Sequence, residues 1–166
     1  MTHATFGGTQ TVLSLLSGCL LAAGAASAQT TTSTFSVLSS GTVVGTAPGG
    51  AASVAAPENI NCTGTVKIIT TAVSDPTLPP GVVVFVDARG LSCVGATSKT
   101  VYLNSGIANL SRLLVPADVV KMTFALYPNT VGGYMQARTG MLTLNLTYNT
   151  TTGALTSASS SIGNFQ

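Results

Sequence analysis

Apolar and polar residues alternate at period two in stretch after stretch of this chain, the spacing of a pleated strand with one buried face, and they form no convincing long helix. Val66, Ile68 and Thr70 alternate with Lys67, Ile69 and Thr71, so one face is apolar and the other carries the charge. Val120, Met122, Phe124 and Leu126 alternate with Val119, Lys121, Thr123 and Ala125. The cleanest case is residues 141–148, where Leu142, Leu144, Leu146 and Tyr148 face in while Met141, Thr143, Asn145 and Thr147 face out. Residues 82–86, Val-Val-Val-Phe-Val, are apolar on both faces, as in a strand covered on each side or central in a sheet. The Val, Ile and Thr that dominate these runs are stiff at χ1 and pack better on a pleated surface than in a helix.

Weaker patterns fill the gaps. Residues 100–104 form a short strand with Val101 and Leu103 on one face, and 154–162 return as a hairpin after the Asn149 to Gly153 turn. Residues 105–115 are ambiguous: Ile107, Leu110 and Leu114 suit a helical face with Ser105 as N-cap, but the flanking pattern favours a strand. Turn residues punctuate the rest. Thr77-Leu78-Pro79-Pro80-Gly81 separates two strands, and Asp87-Ala88-Arg89-Gly90 has Asp first and Gly fourth, the preference of a type I turn. Asp87 is therefore read as a turn residue and not a catalytic one. Seven to nine short strands with a turn every 8–12 residues predict one all-β domain at 58–166, a β-sandwich of immunoglobulin-like or Greek-key type, with a small β-barrel as the alternative.

The first 57 residues break the pattern. Val12-Leu13-Ser14-Leu15-Leu16 opens an apolar run that decays into small residues and ends in Ala26-Ser27-Ala28, an A-x-A cleavage site, so 1–28 read as a signal peptide and the chain as exported. The n-region offers only His3 in place of Lys or Arg. Leu16-Ser17-Gly18-Cys19 is the competing signal, resembling a lipobox that would leave the protein lipid-anchored through Cys19. Residues 29–57 are a Thr/Ser/Gly/Ala leader too poor in large apolar residues to fold alone, although Phe35, Val37 and Val43 at even spacing within 34–44 fit a strand that adds to a sheet edge. On either reading of the N-terminus Cys62 and Cys93 remain, and an even pair in an exported chain predicts a disulfide.

Composition then narrows the chemistry. Only 6% of the 166 residues are charged, net charge is +2, and the cations Lys67, Arg89, Lys99, Arg112, Lys121 and Arg138 are scattered singly, which argues against nucleic acid as a partner. The predicted mature chain lacks histidine, and with it the usual general base and the commonest metal ligand. Its carboxylates are Glu58 in the leader, Asp75 and Asp118 in turn contexts, and Asp87. No glycine-rich phosphate loop and no zinc-spaced Cys/His set is present, so the sequence implies no catalytic residue, no metal and no cofactor. With aromatics at 5%, Tyr102, Tyr127, Tyr134 and Phe165 are the candidates for a ligand-stacking surface.

In arrangement alone the chain resembles exported pilus subunits, which are small disulfide-bearing β-sandwiches with an extended N-terminal strand; no subunit motif is present, and the likeness assigns no residue. The expectation is a non-catalytic structural or adhesive protein of the periplasm, cell surface or extracellular space, associating with itself or with another envelope protein by β-strand addition. The mature chain should have no transmembrane segment. A secreted or periplasmic binding module, an inhibitor or carbohydrate binder, is the alternative, and an enzyme comes third.

Overall fold

The computed structural model describes residues 29–44, 58–75 and 77–164, and within them the alternating stretches become nine strands. In chain order these are β1 (Gln29–Val43), β2 (Ile60–Ser74), β3 (Gly81–Asp87), β4 (Leu91–Gly95), β5 (Val101–Asn104), β6 (Ile107–Leu113), β7 (Ala117–Pro128), β8 (Arg138–Tyr148) and β9 (Leu155–Asn164). A single 3-10 turn, Gly133–Gln136, lies between β7 and β8. No helix among the described residues is long and apolar enough to cross a membrane. The cleavage signal ending at Ala28 and the lipobox-like Cys19 lie outside the described residues, as do 45–57 of the leader.

All nine strands belong to one sheet. β3 and β4 pair with successive parts of β2, and β6 and β5 pair with β3 and β4 in turn, so residues 81–95 and 101–113 each behave as one line of chain with an interruption. Counted by lines, the sheet is a meander in which each line runs antiparallel to the next. An odd number of lines leaves the first and last pointing the same way, and the closing contact of β1 with β9, Gly41 beside Ile162, is parallel. β1 also pairs along its whole length with β2, from Gln29 opposite Ser74 to Val43 opposite Ile60. The sheet thus turns on itself, and the all-β expectation holds in a form that suits a flattened sandwich or a small barrel.

Alternation decides which side chains fill the inside. Ile60, Val66 and Ile68 of β2, Val84 and Val86 of β3, Val120, Phe124 and Leu126 of β7, and Leu142, Leu144 and Leu146 of β8 are buried and form one cluster. The outward positions of β1 and β8 are chiefly Thr, Ser and Asn. The outer faces of β5 and β6, by contrast, carry Val101, Leu103, Ile107 and Leu113. Cys62 of β2 and Cys93 of β4 face each other in register, both are buried, and they are joined as a disulfide.

The structure orients one short strand and resolves one open segment. In β5 it is Tyr102 that points inward, at 4% exposure, while Val101 and Leu103 lie on the outer face, 50% and 41% exposed. Residues 107–113 are a strand, which settles the helix-or-strand ambiguity of 105–115. Asp87 is the last residue of β3, one place ahead of a turn over 88–91 that Leu91 N–H closes on the Ala88 carbonyl at 3.1 Å, and its carboxylate accepts from the backbone N–H and the guanidinium of Arg89 in that turn.

A crease crosses the sheet at one level. Gly64 adopts φ of +148°, where a side chain would be strained and would also collide with the Gly90 carbonyl. Alongside it Thr65 N–H donates to the Gly90 carbonyl at 3.4 Å, and Ala88 N–H donates to the Gly106 carbonyl at 2.7 Å. The interruptions at 88–90 and 105–106 are therefore neighbours in space. Past the crease β6 follows β3 and leaves β7. Pairing of β5 with β7 runs from Tyr102 opposite Pro128 to Asn104 opposite Leu126, continues through Ser105 N–H to the Ala125 carbonyl at 3.3 Å, and stops.

Candidate functional site

Two places concentrate polar chemistry, one at each end of the sheet. The first is at the end where β1 finishes and β2 begins. There the Glu58 carboxylate accepts from Ser98 Oγ (2.6 Å), Ser98 N–H (2.9 Å), Thr97 N–H (3.2 Å) and Tyr102 Oη (3.0 Å). These donors favour the charged form, and the Ser98 hydrogen bonds above all hold the carboxyl at about 2, down from its ordinary 4.5. Burial first, and the hydrogen bond to Glu58 second, push the Tyr102 phenol up. Arg138, only 5% exposed, donates to the Glu58 carbonyl oxygen at 2.8 Å and lies 5.9 Å over the Tyr102 ring. Glu58, the first residue of the predicted domain, thus ties the 96–98 turn to the start of β2, a role of which its low-complexity surroundings in sequence gave no sign.

The carboxylate that would make a catalytic partner is a base that can take a proton near neutral pH. Glu58 is the opposite, an acceptor already filled by four donors. The other carboxylates are also engaged. Asp75 accepts from Thr77 N–H and Oγ1, which lowers its pKa; Asp87 is lowered chiefly by its hydrogen bonds to Arg89. Among the described residues no three His, Cys, Asp or Glu side chains group as metal ligands.

The second place is the opening between β6 and β7. Arg112 of β6 reaches across to Asp118 of β7 in a two-pronged ion pair, 2.9 Å from Nε and 2.7 Å from Nη2, and that pairing holds the Asp118 carboxyl below its usual range. Tyr148 of β8 lies within reach of both charges. Its hydroxyl is buried without a hydrogen-bond partner among the described residues, and burial, with Asp118 adding to it, pushes its pKa up to about 12. Ser111, Arg112, Leu113, Val115 and Asp118 line a recess of about 400 Å³. A second recess, near Gln29, Ala72 and Leu114, holds only about 50 Å³, far below the several hundred of a small-molecule site.

No known protein family, curated protein or solved structure matches the chain. Its own geometry must therefore carry the functional argument. Among the described residues, β6 is paired along the opening only through β3, and residues 117–124 of β7 only through β8, so these two strand edges have no main-chain partner there.

The residues singled out from the sequence fall elsewhere. Phe35, Val37 and Val43 sit on the inner side of β1 opposite Ile68, Val66 and Ile60, so in this structure their strand is paired within its own chain. Tyr102 is buried, Tyr127 is half-buried and Tyr134 is 73% exposed in the loop after β7, beside the equally exposed Met135. Phe165 and Cys19 lie outside the described residues. The β6/β7 opening went unseen in the sequence because it arises from the crease, a tertiary feature; the one local hint was the Gly106 break between two short strand patterns.

Proposed function

We propose that this protein is an exported, non-catalytic structural or adhesive component of the cell surface that makes its contacts by β-strand pairing. The observation that carries the reading is the pair of strand edges at the β6/β7 opening that have no partner among the described residues. Main-chain hydrogen bonds along such an edge supply affinity, and alternate side chains supply register. Three further features support it: the disulfide suits an oxidising compartment, the outward face is rich in uncharged hydroxyls, and every described carboxylate is tied into turns or ion pairs.

Protease shaving and antibody labelling of intact producing cells test the reading. A surface-exposed form is expected. A protein confined to the soluble fraction and saturated by a sugar or peptide would replace this reading with that of a binding module, for which the exposed Tyr134 and Met135 loop is the favoured contact.

A further inference from the structure

The edge of β6 that has no partner among the described residues matches itself. We propose that two copies of the chain join β6 to β6, antiparallel, about a two-fold axis through Leu110, so that the sheet of one molecule continues into the next. The inference rests on the surface-protein reading and names its partner, a second copy.

Inward and outward faces are preserved across an antiparallel seam only if the numbers of opposed residues sum to an even value. Centring on Leu110 meets that condition and sets Ile107 opposite Leu113, Ala108 opposite Arg112 and Asn109 opposite Ser111 of the second copy. Ile107 and Leu113 are 46% and 65% exposed in the single chain, and each would cover the other. The polar outward pair Asn109 and Ser111 sits between them. Arg112, the one charge on β6, faces Ala108 and not its own copy, and Asp118 already neutralises it. The register thus opposes no like charges. The edge is also built for pairing: all seven residues of β6 run in unbroken register against β3, with no proline, lysine or bulge to blunt the other side. β7 is the poorer edge, since it carries Lys121 as well as Asp118.

Cysteine cross-linking in the full mature chain tests the register. Opposed residues at the axis stand about 5 Å apart between Cα atoms, within disulfide reach, whereas Asn109 and its own copy are on a diagonal of about 8 Å, beyond it. Leu110→Cys should cross-link to a covalent dimer, and Asn109→Cys should not. Because Leu110 packs partly on the core, a second pair of variants keeps to exposed positions. N109K/S111K opposes lysines at both ends and should weaken dimerisation about tenfold in sedimentation equilibrium, while N109K/S111E opposes Lys to Glu and should restore it. Equal dimerisation by the two double variants, or oligomers in which Leu110→Cys stays unlinked, would overturn the proposal. A strictly monomeric protein that is still surface-exposed on intact cells would overturn it too and leave the surface reading standing.

Discussion

Replacing Glu58 by Gln removes the anion that gathers the 96–98 turn and the Tyr102 hydroxyl. Holding the carboxyl at about 2 in place of 4.5 corresponds to roughly 3 kcal/mol at 1.36 kcal/mol per pH unit, a ceiling because Glu58 is partly solvent-exposed and its hydrogen bonds are screened. Discounting for that exposure leaves about 1–2 kcal/mol at pH 7, or a fall in Tm of roughly 3–8 °C for a domain of this size. The sign of the pH dependence follows from the direction of the shift. A depressed carboxyl contributes stability that is complete above the ordinary value of 4.5 and is lost as pH falls from 4.5 toward 2. Urea unfolding of the wild type and Glu58→Gln at pH 7, 4.5 and 2.5 should therefore show a gap that is full at neutral pH and shrinks toward the acid end. A variant as stable as the wild type at pH 7, or a gap that does not change with pH, would refute the clamp.

Other perturbations reach the disulfide, the seam and the core. Cys62→Ala with Cys93→Ala should lower stability by about 4 kcal/mol, since the bridge closes a sequence separation of 31; alkylation of both thiols in the unreduced exported protein would show that the bridge is absent. Gly41→Ala forces a methyl group onto the Ile162 carbonyl and should cost about 1–3 kcal/mol by denaturant melting, whereas Gly163→Ala, which meets nothing nearby, should be close to silent; equal effects would mean that the β1–β9 contact is loose. Thr70→Val removes a fully buried hydroxyl that has no hydrogen-bond partner among the described residues and should be neutral or stabilising by about 1 kcal/mol, with a clear loss in calorimetry pointing to a partner after all. Leu144→Ala should cost about 2–5 kcal/mol, and a smaller loss would mean that the interior is not packed as described.

What the sequence showed and what it hid divide along physical lines. β2, β7 and β8 were legible because long alternation leaves only one way to bury an apolar face. β5 was legible as a short strand with Val101 and Leu103 on one face, but four residues of alternation do not say which face turns in, and Tyr102, with the larger area to bury, takes the inner side. The strand at 34–44 was visible through Phe35, Val37 and Val43, but its extension back to Gln29 was not, since Thr and Ser there looked like a tether. In the fold Ser33 Oγ accepts from Leu155 N–H at 3.1 Å, so a polar residue ties β1 to the start of β9. Glu58 hid for a related reason: its four donors lie some forty residues away in sequence. The pairing of β6 and the open edge beside it depend on a crease made by three separate lines of chain, which no local pattern encodes.

The central claim is that the sheet closes around its core yet leaves the β6 edge free to pair with another molecule. Amide hydrogen exchange, read residue by residue along 107–113 at low and at high protein concentration, addresses it directly. Those amides of β6 that point away from β3 should exchange quickly in dilute solution, while the amides of β8, paired on both sides, stay protected. Raising the concentration should protect the β6 edge and leave β8 unchanged. Uniform protection of β6 at every concentration would mean that the edge is already covered within one chain, and would contradict the account.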